Sequence, residues 1–84
     1  MKHFFYTESE YKDGWECDFI RDEDPKWIDL YVSEFCKYLY DFRDGWEWMK
    51  DSPEKIIVVN ELGEIRYFNF ALDLEPSFYV SEVK

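Results

Sequence analysis

Strand-like alternation occupies both ends of the chain and a helical stripe occupies its middle. Residues 15–21 set Trp15, Cys17 and Phe19 on one side against Glu16 and Asp18 on the other, the period of a half-buried strand. The aromatic-rich residues 2–8 precede them across the turn signal Lys12-Asp13-Gly14, and the two segments predict a first hairpin. Asp24-Pro25 then supplies an N-cap acceptor and a proline at the first helical position. From Ile28 onward Tyr31, Val32, Phe35, Tyr38, Leu39 and Phe42 recur at spacings of three and four, so a helix begins here and meets a left-handed stop at Gly45. The β-branched residues 55–59, the turn Asn60-Glu61-Leu62-Gly63 and the alternating residues 64–74 predict a second hairpin, with Phe68, Phe70, Leu72 and Leu74 on one face. Beyond Pro76, residues 78–83 extend or edge the sheet. Between helix and second hairpin, Trp46-Glu47-Trp48-Met49 reads as a loop or a single helical turn.

These elements predict an α+β fold in one small domain, residues 1–84. It is an antiparallel sheet of four strands, five with the tail, in ββαββ order, with one amphipathic helix packed on one face. A chain of 84 residues buries little more than about 60% of its unfolded surface. Its four Trp, seven Tyr and eight Phe offset that shortage, since each ring can bury about 150–250 Å².

Charge changes the picture most. Twenty acids face ten bases, a net charge of -10, in a chain whose aromatic content of 23% is too high for a disordered acidic tail. Self-repulsion on so small a body costs stability, which points to a positively charged partner. The dispersed, outnumbered Lys and Arg argue against direct nucleic-acid binding. The opening residues reach Thr7, Glu8 and Glu10 before any long apolar stretch, and no run approaches the roughly 18 apolar residues of a membrane span. A cytosolic protein without a leader or membrane contact is expected. Cys17 and Cys36 lack metal-ligand spacing and read as reduced thiols. With His3 the only histidine and Gly14, Gly45 and Gly63 each assigned to a turn or stop, the chain offers no catalytic triad, multi-histidine metal site or phosphate loop. No enzyme activity, metal or cofactor is expected.

The acids themselves are the candidate site. On a strand, carboxylates two residues apart stand about 6.6–6.8 Å from each other. The pairs Glu8/Glu10, Glu16/Asp18 and Asp73/Glu75 have that spacing, and Asp22, Glu23 and Asp24 concentrate further charge at the start of the helix, where they also complement its dipole. Trp46 and Trp48, flanked by Asp44 and Glu47, either close the end of the core or form an interface hot spot. Trp27, Tyr40 and Tyr67 are candidates for exposed aromatic contact. Alternatively, acids on the solvent side of strands only protect an edge.

Small size, strong acidity, many aromatics and no catalytic signature together resemble the anti-CRISPR and other DNA-mimic proteins that phages and mobile elements direct against host nucleases. The resemblance is one of general character, so it transfers no residue. It implies stoichiometric blocking of a basic nucleic-acid site on a defence protein, a CRISPR-type effector or a restriction nuclease, in the host cytosol. Immunity proteins and antitoxins that neutralise a nuclease toxin share the profile. A third reading is a general interaction module whose acidity serves solubility alone.

Overall fold

The computed structural model describes residues 1–42, 55–72 and 78–83. It is α+β: one five-stranded antiparallel sheet carries one main helix on one face. Along the chain come β1 (Lys2–Thr7), α1 (Glu8–Lys12), β2 (Ile20–Asp22), a 3₁₀ turn (Pro25–Trp27), α2 (Ile28–Phe42), β3 (Ile56–Asn60), β4 (Ile65–Leu72) and β5 (Phe78–Val83). The predicted ββαββ order is therefore corrected. A short helix separates the first two strands and the spatial order is β2-β1-β3-β4-β5, while the tail forms the fifth strand, at the sheet edge, as its pattern allowed.

The first hairpin is where alternation misleads. Thr7 Oγ1 accepts from the Glu10 amide at 3.3 Å, while the Thr7 amide donates to Glu10 Oε1 at 3.1 Å. This reciprocal capping box starts α1 at Glu8 and ends β1. Gly14, at φ 74°, then turns the chain back. Residues 15–19 return without regular structure, and Trp15, expected to face the core with Phe19, is 61% exposed. Only Phe19 of that trio is buried, edge-on to Phe5 with ring centroids 5.3 Å apart. Cys17 is half-buried, its thiol donating to the Phe5 and Phe19 carbonyls.

The helix and second hairpin follow their sequence signals. Asp24 Oδ1 accepts from the Lys26 amide at 3.0 Å, opening the 3₁₀ turn that runs into α2. The inward stripe of α2 is Ile28, Val32, Phe35, Cys36 and Leu39, all buried; Tyr31, Tyr38 and Tyr40 pack partly against the core, and Phe42 stays open. Gly45 lies outside the described residues. In the β3–β4 turn, Asn60 Oδ1 accepts from the amides of Leu62 and Glu64, and Gly63 takes φ 82°.

Register fixes the two sheet faces. Toward α2 stand Phe5 beside Val58 beside Arg66, and Thr7 beside Ile56 beside Phe68. Arg66 bridges β4 to β5 through two bonds to the Glu82 carboxylate, at 2.8 and 2.7 Å. On the opposite face one row is Ile20, Phe4, Val59 and Ile65, and the next is Tyr6, Ile57, Tyr67 and Val83. The pairs Asn69–Ser81 and Ala71–Tyr79 continue that face across β4 and β5.

Candidate functional site

Eight acids and two bases lie between Glu8 and Asp24; the stretch opens on α1, which packs against β1 and β3, and ends along β2 at the edge of the sheet. The regular strand rows expected for Glu8/Glu10 and Glu16/Asp18 do not form. Glu8 and Glu10 sit in the first turn of α1, where acids favour the helix N-terminus, and Glu16 and Asp18 lie on the irregular return segment. Asp22 is on β2, and Glu23 and Asp24 join it to the 3₁₀ turn. The acids thus form an irregular strip. Trp46, Trp48, Asp73 and Glu75 fall outside the described residues.

Each acid has a definite local setting. Glu8 lies 3.8 Å from the Lys12 ammonium, one helical turn on, and Glu10 completes the capping box. Asp18 accepts from the Tyr38 hydroxyl at 3.1 Å, which ties the return segment to α2. Asp22 stands 3.0 Å from the N-terminal ammonium. The hydrogen bond from that ammonium and its charge hold the Asp22 carboxyl below the usual aspartate range, while Asp22 raises the ammonium in turn. The base of β2, Arg21, turns away from the strip: its guanidinium lies 4.0 Å over the Phe19 ring and 3.8 Å from the Glu34 carboxylate on α2. Glu16, Glu23 and Asp24 are exposed. Beside Glu23 the Tyr31 phenol is pushed up, by desolvation first and then by the Glu23 and Glu34 charges.

Of the aromatic candidates, Trp27 and Tyr67 are exposed. Tyr40 is instead half-buried against the core, because helical spacing turns it only partly outward. The Cys36 thiol is pushed up to about 12 by burial, so it stays protonated and acts as a small apolar side chain. Among the described residues no group of three or more His, Cys, Asp and Glu could hold a metal ion. No described helix is long and apolar enough to cross a membrane.

Sequence reasoning missed a cleft of about 300 Å³ at the open end of β1, lined by His3, Pro25, Asn60, Glu64, Ile65 and Arg66 among others. His3 is 3% exposed, and its Nδ1 has no hydrogen-bond partner among the described residues. Burial, then the nearby N-terminal ammonium and Arg66, push its pKa below the ordinary 6.5, against the raising effect of the Met1 and Arg21 carbonyls. The unfolded chain therefore binds a proton that the folded chain resists, and stability falls as pH drops from about 7 toward 5. His3→Asn should flatten this dependence. Urea midpoints at pH 7 and pH 5 test it, and an equal drop in the variant would contradict the assignment.

Neither protein-family models, nor curated proteins, nor solved structures yield a match to this chain.

Proposed function

We propose that the protein is a non-catalytic inhibitor whose acidic strip occupies a basic nucleic-acid-binding site on a host defence protein. One observation carries the reading: residues 8–24 hold eight acids against two bases, of which Lys12 is paired with Glu8 and Arg21 is turned to Glu34 on α2, while Glu16, Glu23 and Asp24 stay exposed. Residues 18–24 run roughly 20 Å if extended and carry four acids, against about six phosphates along one DNA strand over that length. A cationic groove attracts such a strip as it attracts a polynucleotide, and exposed Trp15 and Trp27 lie in or beside the same stretch to supply apolar contact.

The reading makes binding mutually exclusive with nucleic acid. Immobilised protein should retain a nucleic-acid enzyme from a bacterial lysate and release it to excess duplex DNA, but not to an uncharged polymer of similar size. The purified enzyme should then lose activity at about one equivalent of added protein. Retention indifferent to duplex DNA would refute occupation of the nucleic-acid site.

A further inference from the structure

We infer that the sheet face opposite α2 is a self-association surface, on which two copies of this chain pack face to face. A solvated strand face is ordinarily polar, giving the clean alternation of a one-sided antiparallel sheet. Here the rows Ile20–Phe4–Val59–Ile65 and Tyr6–Ile57–Tyr67–Val83, with Asn69–Ser81 and Ala71–Tyr79, contain no charged residue. In a chain that is 36% charged, about a third of such positions would otherwise carry a charge. The charged pair Lys2 and Asp22 comes only at the margin, beyond Phe4 and Ile20.

Beyond α1, whose Tyr11 ring packs edge-on against Tyr6 with centroids 5.4 Å apart, the face is open. Ile20 is 43% exposed, Ile65 39%, Tyr67 40%, Tyr79 66% and Val83 37%, whereas Ile57 is 1% exposed between Tyr6 and Tyr67. These five open side chains stand along three strands of the face, the breadth over which a standard-sized specific interface takes ~800 Å² from each partner. Isolated surface apolar residues need no explanation, but contiguous exposed apolar rows mark an interaction site.

Charge selects the occupant. A cationic partner drawn by the net charge of -10 finds no carboxylate within these rows. A second copy, equally negative, needs a contact that sets no acid against an acid, and this neutral face provides one. The face is self-complementary in kind, so a two-fold arrangement of stacked sheets buries the same aromatic and β-branched rows on both copies. The inhibitor reading concerns the acids of residues 8–24, of which Asp22 shares this face at its margin, whereas the present inference rests on the uncharged rows themselves.

Sedimentation equilibrium from about 5 µM to about 500 µM is the test, with expected dissociation in the micromolar range typical of modest interfaces. The mass should rise from 10.4 kDa toward twice that value. Tyr67→Lys and Tyr79→Lys should each weaken association at least about tenfold while far-UV circular dichroism is unchanged. Tyr79, the more exposed, keeps the test readable if Tyr67→Lys perturbs the fold. Association should tighten by about tenfold between roughly 20 mM and 500 mM NaCl, since salt screens repulsion between like-charged bodies. A monomer throughout, a dimer indifferent to both substitutions, or one that weakens with salt would each overturn the inference. So would a monomer whose Tyr67 face proves to be bound by a different protein.

Discussion

Phe35→Ala is expected to lower the unfolding free energy by about 3–5 kcal/mol, the usual cost of emptying a buried aromatic site. Phe35 is 0% exposed on α2, with its ring 5.9 Å from Phe5, 5.1 Å from Phe19 and 6.4 Å from Tyr38. It is therefore the point where the helix, β1 and the irregular return segment meet. At about 0.05–0.15 kcal/mol per residue, a chain of this length has only some 4–13 kcal/mol in hand. The variant should show a urea midpoint near zero or a much reduced one. Cys36→Ala, which removes one buried sulfur from the same helix, should cost far less, about 1–2 kcal/mol. A loss below about 1 kcal/mol for Phe35→Ala would mean that the three elements do not share a core.

The second large effect is on binding. Glu16→Lys combined with Asp18→Lys replaces two negative charges by two positive ones, and affinity for a cationic nucleic-acid site should fall by about 100-fold or more at 0.15 M salt, with a shallower salt dependence. Because Asp18 also accepts from the Tyr38 hydroxyl, Tyr38→Phe is the control: it removes that bond, leaves the charge, and should bind within about threefold of the parent. Titration calorimetry with the captured enzyme measures all three. If the double reversal also binds within about threefold, that part of the strip does not touch the partner.

What the sequence made legible depended on how local the determining interactions are. The stripe Ile28, Val32, Phe35, Leu39 announces α2, because its period of three and four suits no other element, and Asp24-Pro25 marks its entry. Asn60 and Gly63 announce the β3–β4 turn through the bonds they go on to make. The first hairpin pairs as expected only at its open end, Lys2 to Phe4 with Asp22 to Ile20, because two local signals compete over the rest. Alternation over residues 15–19 favours a strand, while Thr7-Glu8-Ser9-Glu10 carries the capping-box spacing that ends the strand and starts a helix. The cap prevails, and the acids at 8, 10, 16 and 18 lose their regular spacing as a result. Strand order was not legible, since the pairing of β1 with β3 joins residues about fifty positions apart, from Thr7 with Ile56 to His3 with Asn60. A hint lies in β1 itself: from His3 to Thr7 it carries no formally charged side chain, as suits a strand flanked on both sides. The cleft around His3 and the neutral sheet face are likewise products of assembly.

The placement of β1 between β2 and β3 has a consequence for how the protein is made. β1 is synthesised before the other strands of the sheet, yet its principal partner follows only after α2 has been made. Until residues 56–60 emerge, the aromatic leading segment has just the three-residue β2 to pair with, and the core cannot close. While residues 8–55 are being made, this aromatic segment therefore stays largely unsheltered, and folding completes late, through contacts of long sequence separation.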